Sequence, residues 1–168
     1  MEGNPSDDCK HYHSSYHRTE YRIMRPITLT PNKMRSINLI VIHCSATRSN
    51  RNYPVTSLIN DHAKRFGFTG YHYYITRDGH TYQTRHEQLI GAHAKGYNEH
   101  SLGVCYEGGI DPQGKHADTR TPRQKQALLR LLKRLKAAHP GAAIVGHRDL
   151  PDVHKDCPCF DATEYSRL

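Results

Sequence analysis

Two histidines and a cysteine are the residues of this 168-residue chain whose types and spacing point most directly to chemistry. His43 closes the apolar run INLIVIH (37–43), and His147 closes AAIVGH (142–147). Both runs are short and rich in apolar residues, so both read as buried strands that end in an imidazole. A strand end is a rigid place from which to deliver a ligand to the edge of a sheet. Cys157 follows within the segment HRDLPDVHKDCPCFD (147–161). Two imidazoles and one thiolate are a suitable donor set for zinc, with a fourth position left for water. Zinc so held lowers the pKa of water to about 7 and polarises a carbonyl, which is what amide hydrolysis requires. Spacing leaves the third donor open, because His154 and Cys159 compete with Cys157. Cys157-Pro158-Cys159 is a C-x-C, not the C-x-x-C of a zinc knuckle, and no HExxH motif is present.

These donors need a frame. Val55 to Phe66 has the composition of a helix, with Thr56 or Ser57 as N-cap and Gly67 as the stop. YHYYIT (71–76) and HTYQT (80–84) read as strands joined by the turn Arg77-Asp78-Gly79. Alternation along the first of them puts Tyr71 and His72 on opposite faces. SLGVCYEGG (101–109) holds a further strand closed by glycines, with Glu107 on the same face as Cys105 and read as a surface or supporting carboxylate. The clearest helix covers 121–138. Thr121 is its N-cap, Pro122 sits in the first turn and Gln124 completes a capping box. Leu128, Leu131, Leu132 and Leu135 follow the spacing of one buried face, and His139-Pro140-Gly141 ends the helix. Strands and helices mix without a strict βαβ rhythm. This predicts an α/β (α+β) fold: a central mixed sheet flanked by helices. No internal repeat is evident. Residues 1–35 are polar, rich in His and Tyr and without period, and read as a flexible N-terminal extension before a domain at 36–168. Met24 and Met34 are alternative start points. His11, His13 and His17 form a His-rich tract of the metal-binding kind, though an unstructured tail is the simpler reading.

Composition narrows the classes. The length suits one domain. A hydrophobic fraction of 36% and a mean hydropathy of −0.81 predict a modest core. Lys and Arg number 24 against 16 Asp and Glu, a net +8, which favours acidic partners such as nucleic acid, anionic lipid or bacterial wall polymers. Nucleic acid is suggested by charge alone: no binding motif supports it, and the deaminase pattern is absent. The cationic residues Arg123, Lys125, Arg130, Lys133, Arg134 and Lys136 read as a solvated helix face. Five cysteines rule out complete internal pairing. The first 30 residues hold no secretory apolar region, since Asp7, Asp8 and Lys10 interrupt it. Synthesis in a reducing cytoplasm with free thiols is therefore expected. Nothing approaches the roughly 18 apolar residues of a membrane helix, so no membrane insertion is expected.

The blocks VIHCSAT (41–47), GYHYYITRDG (70–79), HAKGYN (93–98) with SLGVCYEGG behind it, VGHRDL (145–150) and KDCPCFD (155–161) occur in one order over about residues 36–165. In them the chain resembles the zinc N-acetylmuramoyl-L-alanine amidases of the phage lysozyme type, which share a fold with peptidoglycan recognition proteins. The resemblance implies hydrolysis of the amide between N-acetylmuramic acid and the first L-alanine of the peptidoglycan stem peptide. It matches His43, His147 and Cys157 to the ligands of one zinc ion and leaves Cys159 outside. Tyr71 matches a tyrosine near the metal-bound water, and Lys155 matches the catalytic lysine. An ammonium there stabilises the oxyanion, and a phenol positions or relays a proton. His93 and Asn98 fall where the family lines its substrate groove. Muropeptide-recycling amidases carry an aspartate as third ligand and a glutamate in the strand that here reads GVCYEG. Cys157 and Cys105 at those places put this chain with the phage branch. A phage or prophage endolysin follows: a monomer made in the cytoplasm, released at lysis and acting on the cell wall. A non-catalytic peptidoglycan-binding module is the alternative, and the presence of Cys157 argues against it. His72 is expected to be structural, and Cys44 and Cys105 to be small core residues.

Overall fold

The computed structural model describes residues 34–168, so the extension at 1–33, with His11, His13, His17 and Met24, lies outside the described residues. Arg35, assigned above to the extension, is instead engaged with the domain. Its guanidinium donates to the carbonyl oxygens of Asn98 and Ser101 at 3.0 and 2.9 Å, and its main-chain N–H donates to Gln88.

The apolar runs become the sheet. β1 (Leu39–Cys44) is followed by the two-residue β2 (Thr47–Arg48), α1 (Val55–Phe66), β3 (Tyr73–Ile75) and β4 (Thr81–Gln83). β5 (Ser101–Tyr106), the short β6 (Gly109–Ile110), α2 (Pro122–Ala138) and β7 (Ala143–Gly146) complete the order. The main sheet runs β4-β3-β5-β1-β7, with β2 and β6 paired separately. All neighbours in the main sheet are parallel except the β3–β4 hairpin. The expected mixed sheet with flanking helices is therefore what forms.

Alternation along the strands sorts side chains between two unequal faces. Ile40, Ile42, Leu102, Val104, Tyr73, Ile75 and Ile144 point to the face covered by Leu128, Leu131, Leu132 and Leu135 of α2. Thr121 caps α2 as expected, with the reciprocal Gln124 bond, and Gln124 also donates to the carbonyl oxygens of Ile75 and Glu107. The opposite face has two smaller apolar clusters. One is built on Val41, Ala94 and Leu150, the other on Leu58, Tyr74 and Cys105. His43 lies on this thinner side.

Four local expectations change. α1 starts after Pro54, with no side-chain cap, so neither Thr56 nor Ser57 is its N-cap. Proline serves there because its fixed φ leads into a helix and the first N–H groups need no intrahelical partner. β3 begins at Tyr73, not Tyr71. A bend at His72 breaks the alternation, so Tyr71 and His72 both approach His93, at ring-centroid distances of 6.4 and 5.7 Å. His147 stands one residue past β7 and opens a short 3-10 turn, His147–Asp149. Glu107 is 2% exposed, not on the surface. It lies just past β5, and its carboxylate accepts the main-chain N–H groups of Tyr53 at 2.7 Å and Arg77 at 3.0 Å. It thereby ties the entry of α1 to the β3–β4 turn.

Candidate metal centre

Parallel register brings the first two donors together. Ile42 pairs with Gly146 across β1 and β7, so the next residues, His43 and His147, emerge side by side at the same sheet end. Their ring centroids are 4.5 Å apart. Cys157 arrives from the C-terminal segment, which is anchored to the sheet by Tyr106 Oη donating to the carbonyl oxygen of Pro158 at 2.7 Å. Arg120, buried against Phe160 and bonded to Asp118, Glu164 and Tyr165, holds the same segment from behind. One donor atom from each of His43, His147 and Cys157 lies within 4.8 Å of the others, and this is the one such group of three among the described residues. His154 and Cys159 are not in it. His154 is exposed, and the Cys159 sulfur turns instead toward Cys44 Sγ, 3.6 Å away.

The electrostatics suit a cation. Burial, followed by the charges of His93, His147 and Lys155, holds His43 well below the ordinary imidazole value. His147 is lowered by burial and then by Lys155. Both shifts favour the neutral ring, the form with a lone pair to offer. Cys157 is lowered, chiefly by a hydrogen bond from Cys44, and the Cys44 main-chain N–H also donates to its sulfur at 3.3 Å. Cys44 itself is pushed up to about 12, first by its interaction with Cys157, so it stays a thiol. Two imidazoles that favour the neutral form and a thiolate-prone cysteine are a donor set that fits a zinc ion.

The hydrogen-bond network orients His43. Its Nδ1 faces Cys157 Sγ at 3.7 Å, and its Nε2 meets His93 Nδ1 at 3.1 Å. With Nδ1 turned to the metal side, Nε2 carries the proton and donates to His93, whose Nε2 then points to Ser101 Oγ at 3.3 Å. Gly103 makes room for this chain, since a Cβ there would stand 2.6 Å from the His93 ring. His93 is thus engaged behind His43. Asn98 is likewise used inside its loop: its side-chain oxygen accepts the main-chain N–H groups of His93 and Ala94, both at 2.9 Å. The structure thus gives both residues supporting contacts while leaving each partly exposed. His72 is structural as expected, with Nδ1 accepting from Gly103 N–H and Nε2 directed at the Leu89 carbonyl.

Tyr71 stands between two imidazoles, 5.1 Å from the ring of His43 and 5.0 Å from that of His62. Burial raises its pKa well above that of an ordinary phenol, so it remains a proton donor. His62 was not picked out in the sequence, although its i+4 spacing from buried Leu58 on α1 marks it as inward-facing. Lys155 is exposed in the wall of a cavity of about 540 Å³ that it shares with Cys157, Cys44, Cys159, His116 and His154. No helix among the described residues is long and apolar enough to cross a membrane.

Comparison with known proteins agrees with this geometry. The family model described as N-acetylmuramoyl-L-alanine amidase matches residues 33–160. The endolysin of Escherichia phage T7 is 42% identical over 127 residues, covering 75% of this chain and 83% of that protein. Among solved structures, the N-acetylmuramoyl-L-alanine amidase LysC from Clostridium intestinale URNW superposes with a TM-score of 0.65 at 28% identity, covering 82% of this chain and 89% of that one. An ectodomain complex of peptidoglycan recognition proteins LCa and LCx bound to tracheal cytotoxin matches with a TM-score of 0.61 at 26% identity, over 75% and 78% of the two chains.

Proposed function

The chain belongs to the N-acetylmuramoyl-L-alanine amidase family, and on that footing we propose that it is a phage-type endolysin. It hydrolyses the amide between N-acetylmuramic acid and L-alanine in peptidoglycan, with one zinc ion held by His43, His147 and Cys157. The observation that carries this reading is the convergence of these three donors within 4.8 Å at one sheet end, beside an exposed lysine. Zinc held there supplies Lewis-acid chemistry, polarising the amide carbonyl and making water nucleophilic near neutral pH. Lys155 brings a positive charge to the cavity wall next to Cys157, where it stabilises negative charge developing on the carbonyl oxygen. Tyr71, kept as a phenol by burial, holds and relays a proton at the same end of the sheet. His93 fixes the tautomer of His43 through the 3.1 Å contact, and Asn98 holds the His93 loop. The protein acts as a monomer on the cell wall after release from the cytoplasm where it is made.

The test combines metal analysis with product identification. Purified protein is expected to hold one zinc per chain and to release stem peptides with a free L-alanine amino terminus from sacculi. Cys157→Ser and His147→Ala are expected to lose zinc and activity while keeping the fold. Wild-type turnover by either variant, or wall binding without bond cleavage by the zinc-loaded protein, refutes the proposal.

A further inference from the structure

We propose that Cys44 and Cys159 form a dithiol site that closes to a disulfide on meeting an oxidant, stapling the strand that carries His43 to the segment that carries Cys157. Their sulfurs are 3.6 Å apart and 115 residues apart in sequence. Gly109 leaves the space for the pair, since a Cβ there would stand 2.4 Å from Cys44 Sγ and 3.4 Å from Cys159 Sγ. Cys159 is held at φ 67°, a left-handed conformation that L residues with side chains seldom adopt, and this directs its thiol toward Cys44. Both line the 540 Å³ cavity, so a small reagent reaches them from solvent. The remaining described cysteines are otherwise committed. Cys105 is fully buried in the cluster of Leu58 and Tyr74, and Cys157 belongs to the metal donors.

The co-reactant is a low-molecular-weight disulfide. Cys159, the more exposed of the two, attacks one of its sulfurs and expels the first small thiol. Cys44 gives up its proton to the departing small thiolate as it attacks the Cys159 sulfur, and the second small thiol leaves. The two cysteines give up two electrons and two protons, and the small disulfide is reduced to two thiols. Such a bridge stays open in a reducing cytoplasm and closes outside it. That setting rests on the endolysin reading, whereas the bridge itself rests on the sulfur geometry. Once closed, it shortens the excursion of the Cys157 segment from β1 and keeps the donors assembled.

The experiment uses zinc-loaded full-length Cys9→Ser protein, whose remaining cysteines are the four free ones described. It is treated with oxidised glutathione, alkylated, unfolded and peptide-mapped. Free thiols are expected to fall from four to two, with the Cys44 and Cys159 peptides linked and the mass lower by about 2 Da. The melting temperature rises by roughly 5–10 °C, as a long closed loop predicts, and zinc passes to a chelator several-fold more slowly. Cys159→Ser in the same background keeps zinc and amidase activity but forms no bridge. A bridge containing Cys157 or Cys105, retention of all four thiols, lasting mixed disulfides with glutathione, or oxidised protein that melts no higher overturns the proposal. Bridge formation in a protein without amidase activity would leave this inference standing and refute the function proposed above.

Discussion

Replacing His93 by alanine tests whether it orients His43, a proposed zinc ligand, without itself touching the metal. His43 Nε2 has one hydrogen-bond partner, His93 Nδ1 at 3.1 Å, and the ring beyond it is braced by Ser101 at 3.3 Å and by the bare backbone of Gly103. Removal leaves the buried N–H of His43 unpaired and frees its ring to rotate. Loss of such a partner lowers metal affinity by roughly 10–100-fold, or about 1.4–2.7 kcal/mol. The missing ring also leaves a void, at a cost to metal-free stability of about 1–3 kcal/mol. His93→Asn sets an amide oxygen close to where Nδ1 lies and restores an acceptor. Its zinc affinity is therefore expected between those of wild type and the alanine variant. The assay is zinc competition against a chromophoric chelator at fixed pH, with circular dichroism confirming that each variant is folded. A folded His93→Ala protein that binds zinc as tightly as wild type refutes the orienting role. Equal weakening in the alanine and asparagine variants shows that ring packing, not the hydrogen bond, is what matters.

Three further outcomes follow from the same geometry. Lys155→Ala is expected to lower kcat by roughly 10²–10³-fold while zinc content holds, since in the proposed mechanism the ammonium acts on developing charge and is no ligand; a parallel loss of zinc would contradict this. Burial, its largest cause, holds His72 down at about 4 from 6.5. Between these values the unfolded chain binds more protons than the folded one, so stability rises with pH. His72 alone should therefore contribute a loss on the order of 3 kcal/mol to metal-free protein as pH falls from 6.5 toward 4, so His72→Gln reduces the slope by that share; parallel urea midpoints of the two proteins across that window would argue otherwise. Glu107→Leu strands the N–H groups of Tyr53 and Arg77 and should cost about 2–4 kcal/mol in chemical denaturation, against about 1–2 for Glu107→Gln, which keeps one acceptor.

Much of the frame was legible in the chain because it depends on local pattern. The Thr121-to-Gln124 capping box and the leucine stripe after it mark α2 whatever surrounds them. The β-branched run ending at His43 marks a buried strand on its own. Ordered blocks, read as a resemblance, placed the chain in its family and preferred Cys157 over its neighbours. Local pattern fails where a residue's neighbours come from elsewhere. The break in alternation at His72 turns on a bond network with Gly103 and Leu89, and Glu107 is buried because two distant N–H groups converge on it.

The donor set shows the division most clearly. Sequence by itself determined that two short apolar strands end at imidazoles and that a thiol follows the second, since strand-forming composition and residue order are properties of the chain. It could not determine which thiol reaches the imidazoles. That was decided by the parallel register of β1 against β7 and by the anchoring of Pro158 to Tyr106, which turn Cys157 toward His43 and Cys159 toward Cys44. Tertiary structure likewise set His93 against His43, a contact that the spacing of 50 residues does not reveal. Distances between side chains more than a hundred residues apart are set by packing, and spacing along the chain does not contain them.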